Sequence, residues 1–208
     1  MKLPLALLSG LLAVSLCAAP LRAGDDEVLP ALQRALLLLK VLAYDRNLHA
    51  RAGSAVAVAV VHRRGDAASD SCSAEVLAAL EELAKSAVVS GLPISAADLP
   101  WSAGAAFESA LQQAHPTALF ICPGLEPELP AIREAARRRS VFTAASGRQL
   151  AEKGLSLGLV SGAAHARLVI NIDAARAEGA DLDSALLHIA EVVRDSAPND
   201  AGPAHPAE

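Results

Sequence analysis

The side chains best suited to chemistry in this chain of 208 residues are a pair of cysteines, a scatter of histidines and the polar residues that end its apolar runs. Cys72 and Cys122 form the sharpest pair. In an oxidising compartment they can bridge, closing a loop of about 50 residues for roughly 4 kcal/mol in the chain-entropy account. The alternative is two buried free thiols. The histidines (His49, His62, His115, His165, His188, His205) show no His-x-x-x-His spacing, and the cysteines no Cys-x-x-Cys. Zinc sites normally carry such local pairs, so no metal and no cofactor is expected. A Gly-x-Ser-x-Gly elbow, a P-loop and a Gly-x-Gly-x-x-Gly turn are all missing from the sequence, and nothing nominates a nucleophile. A non-catalytic protein is the expectation.

The elements that would carry these residues alternate regularly. Residues 27–45 read as a helix whose Leu36-Leu37-Leu38-Leu39 block is broad enough to be buried on much of its circumference. Residues 54–62, SAVAVAVVH, alternate β-branched residues with Ala and suit a strand packed on both faces. Residues 63–71 are polar and read as a loop, with Ser71 or Ser73 capping a helix over 73–87. Further strands are expected at 92–99, 117–122, 141–144, 155–160 and 167–172, the first near an edge because of Pro93. Further helices are expected at 104–115, 126–139, 148–153 and 182–194, the last capped by Asp181. Such alternation implies an α/β fold, a doubly wound and mostly parallel sheet with right-handed crossovers. The order expected is flavodoxin-like or half-periplasmic-binding-protein-like, with an antiparallel C-terminal hairpin strand.

In open α/β sheets ligands sit beyond the carboxyl ends of the strands. The residues delivered there are His62, Arg63, Arg64 and Asp66, then Pro123 and Gly124, then Ser146, Gly147 and Arg148. Gly147-Arg148 at a helix start can offer free N–H groups to an anion, although each Gly also reads as a turn and each Arg as a surface charge. In a 2-1-3 strand order the loop after the first strand adjoins the tip of the third; Cys72 ends that loop and Cys122 that strand, so a bridge between them is geometrically plausible. Tyr44-Asp45-Arg46-Asn47 is a separate polar corner, either a hydrogen-bonded anchor or, through Asp45 with Arg46 or Arg51, a docking patch.

Lys2, the apolar run from Leu3 to Cys17 and the small residues ending at Ala23 describe a secretory signal peptide over 1–23, which implies a periplasmic protein. Its removal takes away Lys2 and Arg22 and moves the net charge from −5 to −7. An acidic exported chain is a poor nucleic-acid binder, which needs a concentrated positive field. Arg137-Arg138-Arg139 is a basic cluster that reads as a helix end facing the negative pole of its macrodipole. The mature residues 27–195 form one domain, and 196–208 read as a disordered tail. Only five aromatic residues are present, so Ala, Leu and Val must fill the core and a carbohydrate platform is not expected.

The stretches 154–160 (GLSLGLV), 167–179 (RLVINIDAARAEG) and 186–193 (LLHIAEVV), with 117–124 (TALFICPG) upstream, resemble the YfiR family. The similarity runs over roughly 35–194; Gly158 and the span from Asn171 to Gly179 are its more specific parts. The first helix departs from the family, which commonly has aromatic residues there. The resemblance implies a periplasmic regulator that binds a membrane sensor protein, a diguanylate cyclase or a histidine kinase, gated by a small ligand or by redox state. Pairing of two copies into a homodimer is a further implication. Two other functions fit the same fold: a small-molecule-binding component of a sensing or transport system, and a flavodoxin-like hydrolase working through His62 and Asp66.

Overall fold

Strand β1 (Val56–His62) is why the domain has two helical layers. Its side chains alternate in direction, and both sets are apolar. Val58 and Val60 enter one cluster with α1 (Ala31–Ala43) and α3 (Ala67–Ala84). Ala59 and Val61 enter another, beneath α4 (Ala105–Ala114) and α5 (Leu129–Arg139). The computed structural model describes residues 28–162 and 165–195. The expected signal peptide (1–23) and tail (196–208) lie outside the described residues.

The other strands are β2 (Val88–Val89), β3 (Leu92–Pro100), β4 (Ala118–Ile121), β5 (Phe142–Ser146), β6 (Leu157–Val160), β7 (Arg167–Asn171) and β8 (Glu191–Val193). They form one sheet in the order β2-β3-β1-β4-β5-β6-β7-β8. The central run from β3 to β6 is parallel throughout, in the flavodoxin-like order expected. β2 is antiparallel to β3, β7 is antiparallel to β6, and β8 runs parallel to β7. The short helices are α2 (Leu48–Ala52), α6 (Arg148–Glu152), α7 (Ile172–Ala177) and α8 (Ser184–Ile189), with a 3-10 turn at Glu126–Glu128 before α5.

Several boundaries differ from the sequence reading, each for a local reason. The helix expected from 73 begins at Ala67, because Asp66 rather than Ser71 or Ser73 is its cap and accepts from the Ser69 N–H at 2.9 Å. Cys72 therefore lies inside α3, not at the end of a loop. The single closing helix over 182–194 is instead α8, capped by Asp183, followed by β8. Val192 and Val193 lengthen the sheet there, as β-branched residues favour. Asn171 ends β7 and at once caps α7, its Oδ1 accepting from the Ala174 N–H at 3.0 Å. Of the Leu36–Leu39 block, Leu38 and Leu39 are buried but Leu36 is exposed.

The end of α7 places a carboxylate in the core. Glu178 is fully buried and receives three donors: the Thr143 N–H at 2.8 Å, the Thr143 hydroxyl at 2.7 Å and the Ser156 hydroxyl. These tie α7 to the starts of β5 and β6. Burial pushes the Glu178 carboxyl up to about 7 despite those donors. The folded chain thus holds this proton more tightly than the unfolded chain does. The resulting stabilisation, about 3 kcal/mol, is complete below the ordinary carboxyl range and is lost as pH rises through about 7. Urea unfolding of wild type and Glu178→Gln between pH 4.5 and 8 checks this: wild type is expected to lose stability relative to the uncharged variant as pH rises through about 7. A constant difference across that range would refute it.

Candidate functional site

The carboxyl ends of the parallel strands gather most of the polar residues expected there. His62 ends β1 with its side chain 9% exposed, between two aspartates. Its Nδ1 lies 2.8 Å from Asp70 Oδ1 and its Nε2 3.1 Å from Asp98 Oδ1. The first contact is a hydrogen bond, whereas the second is not aligned as one and leaves Nε2 unpartnered. Asp70 also accepts from the Gly65 N–H at 2.9 Å, and the Ser73 hydroxyl donates to Asp98 at 3.1 Å. The pairing of His62 with Asp66 that a hydrolase would use is not formed, since Asp66 is occupied in capping α3 and Ser73 donates to Asp98 rather than to the imidazole.

Two loops close against each other beside this cluster. Arg63 donates to the Gly124 carbonyl at 2.7 Å and pairs with Glu128 at 2.8 Å. Gly124 has φ +83°, a conformation that favours glycine, and it packs beside the Asp66 carboxylate. Arg64 is exposed, and its guanidinium has no ion-pair or hydrogen-bond partner among the described residues. Farther along the same edge, Ser146, Gly147 and Arg148 border an open cleft of about 280 Å³ with Glu126, Lys153 and Val160. The Ser146 hydroxyl has no partner, while Arg148 is neutralised by Glu152 at 2.7 Å and Glu191 at 2.5 Å. Arg148 thus carries little free charge toward an anion.

Cys72 on α3 and Cys122 after β4 are buried thiols within hydrogen-bonding reach of one another. The strand order sets β1 beside β4, and Cys72 reaches Cys122 from inside α3 rather than from a loop end. Arg34, buried in α1, reaches Cys72 Sγ at 3.4 Å and Glu75 at 3.1 Å, and lies 5.8 Å from the centre of the Phe120 ring. The hydrogen bond from Cys122, with the Arg34 charge, holds the Cys72 thiol below its ordinary range. Cys122 is pushed up by the same hydrogen bond and by burial.

Tyr44, Asp45 and Arg46 lie at the opposite, amino-terminal edge of the sheet. Asp45 has a fully buried side chain and takes 3.0 and 2.6 Å hydrogen bonds from Arg51, with further bonds from the Asn47 and Asp181 N–H groups. Arg51 in turn donates to the carbonyls of Thr117 and Ser140. This is the anchor reading of that corner. Arg46 pairs with Asp183 at 2.9 Å on the surface, and Tyr44 stays exposed. The basic cluster at the end of α5 is paired too: Arg138 and Arg139 meet Glu108, and Arg137 meets Asp195 at 3.1 Å.

Sequence reasoning passed over Arg34, Asp70 and Asp98. One signal was available for Arg34, since it shares a helical face with Leu38 and Leu42, where a lone cation needs a buried partner. Asp70 and Asp98 look like ordinary helix and strand polar residues until the register sets them beside His62.

The chain belongs to the YfiR/HmsC-like family, whose model matches residues 34–191. No curated protein matches it. Among solved structures, it is similar to a conserved domain protein from Vibrio cholerae (16% identity, TM-score 0.56, covering 78% of this chain and 60% of that one). It is similar to an ABC domain in complex with L-Trp from Streptococcus pneumonia (13%, TM-score 0.54, 79% and 62%). A ligand-free, open substrate-binding protein with adhesive properties from Clostridium difficile follows (15%, TM-score 0.50, 72% and 58%). The chain therefore spans about 60% of the length of each of these structures, and at such identities the likeness is one of fold.

The segments that carried the family resemblance have structural work to do. Gly158 on β6 would set a Cβ 2.6 Å from the Gly147 carbonyl oxygen and 3.2 Å from Ala151 Cβ, so only glycine lets α6 lie this close. Asn171 holds the Ala151 carbonyl at 2.9 Å while capping α7. Gly158→Ala is expected to lower stability by about 1–3 kcal/mol, read from chemical denaturation. An unchanged midpoint would mean that α6 moves freely and that the close packing is not a constraint.

Proposed function

We propose that this protein is a non-catalytic periplasmic regulator that binds the periplasmic part of a membrane diguanylate cyclase or sensor kinase. Membership of the YfiR/HmsC-like family carries this reading, which also draws on the strand-tip loops. The candidate contact face is the set His62, Arg64, Asp66 and Gly124, extended by Ser146, Gly147 and Arg148. Arg64 is its best anchor, because an exposed arginine without a partner breaks no existing ion pair on meeting a carboxylate. No helix among the described residues is long and apolar enough to cross a membrane.

Oxidation of Cys72 and Cys122 is a natural gate for this binding. A disulfide-bearing dithiol oxidase of the exporting compartment would accept the two electrons and two protons as the sulfur–sulfur bond forms. Cys72, whose sulfur the Arg34 guanidinium approaches to 3.4 Å, is the attacking sulfur. A small ligand in the cleft beside Ser146 is the second reading, favoured by its unpartnered hydroxyl, and a metabolite thermal-shift screen addresses it. The direct test is capture of the full chain by the periplasmic domain of a membrane diguanylate cyclase or sensor kinase from the same genome. Arg64→Ala is expected to weaken capture at least tenfold with an unchanged melting temperature. Equal capture by the variant would remove the strand-tip face, and no capture by wild type would remove the regulatory reading.

A further inference from the structure

His62 sits between two carboxylates, and its charge decides whether it holds both of them. From α3 it meets Asp70, whose Oδ1 lies 2.8 Å from Nδ1. An ionised carboxylate can only accept, so Nδ1 carries a proton in either charge state of the ring. From β3 it meets Asp98, whose Oδ1 lies 3.1 Å from Nε2. A neutral ring would turn a bare lone pair toward that carboxylate, an acceptor buried against an acceptor. A second proton, on Nε2, makes the same contact an ion pair.

We infer that His62 is a pH-operated clasp, which as a doubly protonated imidazolium ties α3 to β3 and which releases Asp98 when Nε2 loses its proton. Histidine is the side chain whose charge ordinarily changes between about pH 5 and 8. The clasp therefore closes on the acid side and opens as pH rises. Its two arms order different segments. Asp70 also accepts from the Gly65 N–H at 2.9 Å, which brings in the loop after β1. Asp98 is otherwise bonded by the Ser73 hydroxyl, at 3.1 Å and on the same oxygen. Just beyond β3, the Trp101 N–H donates to the His62 carbonyl at 2.8 Å, so the end of that strand lies against the clasp. Other charged groups nearby are engaged elsewhere or turned outward. Arg63 meets Glu128 and the Gly124 carbonyl, Asp66 caps α3, and Arg64 is exposed. On the β4 side lies the Cys122 thiol, within electrostatic reach of Asp98. Among the described residues none of these pairs with the ring, so Asp70 and Asp98 govern its charge. The clasp is a property of the chain itself and stands apart from the choice of partner protein.

The chain has a single tryptophan, so the emission of Trp101 reports on the end of β3 without a label. The test follows the full mature chain from pH 5 to 9 by Trp101 fluorescence and by nitrogen-15 spectra of the histidine rings, with His62→Gln identifying the His62 signals. Wild type is expected to show both ring nitrogens protonated at pH 5 and Nε2 losing its proton as pH rises. A step in Trp101 emission should share that midpoint. Glu178, pushed up to about 7 by burial, titrates in the same range, so Glu178→Gln is the control and is expected to keep the step. Asp98→Asn keeps an acceptor for Ser73 and offers an amide N–H to a neutral Nε2. In that variant the step is expected to vanish, with circular dichroism matching wild type. An Nε2 already bare at pH 5, a ring that titrates with no change at Trp101, or a step that survives Asp98→Asn would each overturn the clasp.

Discussion

The buried ion pair of Asp45 with Arg51 is the constraint on which the domain rests. Both side chains are withdrawn from solvent, and between them they bond the turn after α1, the loop before α8, the carbonyl before β4 and the carbonyl after α5. A charge so enclosed is tolerable only if every oxygen and nitrogen is answered, and here they are. Loss of either partner would strand the other, at a cost of about 3–5 kcal/mol. One end of the sheet is thereby closed by polar bonds that reach from residue 45 to residue 181.

Other groups reinforce the same edge. Glu178 joins α7 to the starts of β5 and β6, and Asn171 joins α7 to α6 and to Asp195. The stretches in which the family resemblance was read, Gly158 and Asn171 to Gly179 among them, lie largely in this framework. The opposite edge is built otherwise. There the loops after β1 and β4 touch through Arg63 and Gly124, while Arg64, Asp98 and the Ser146 cleft face solvent. Rigidity at one end and open chemistry at the other is the usual arrangement for α/β proteins that bind at strand tips.

How far this was legible in the sequence follows from what each feature depends on. The run SAVAVAVVH announces a doubly buried strand because its alternation is local, and the flavodoxin-like order follows from crossover handedness. Cys72 and Cys122 were only partly readable as neighbours: strand order sets β1 beside β4, but Cys72 is carried there inside α3, whose start the Asp66 cap fixes. The start of α3 was not, because Asp-Ala-Ala-Ser-Asp-Ser is a poor helix former by composition and is fixed by the Asp66 cap. The division of 182–194 into helix and strand was likewise hidden, since the pairing of β8 with β7 is a tertiary choice. His62 was found by its place at a strand tip, but Asp70 and Asp98 needed the helix start and the β1–β3 register, in which Val60 lies opposite Asp98.

The contrast between a locked edge and an adaptable one is open to a direct measurement, hydrogen–deuterium exchange of the full chain followed by mass spectrometry. The amides of Arg46, Asn47 and Asp181, bonded across the lock, should exchange only when the whole domain unfolds. Amides in 63–66 and 147–149 should exchange by local opening, orders of magnitude faster. Equal protection at both edges, or faster exchange around Asp45 than around Arg64, would contradict the account.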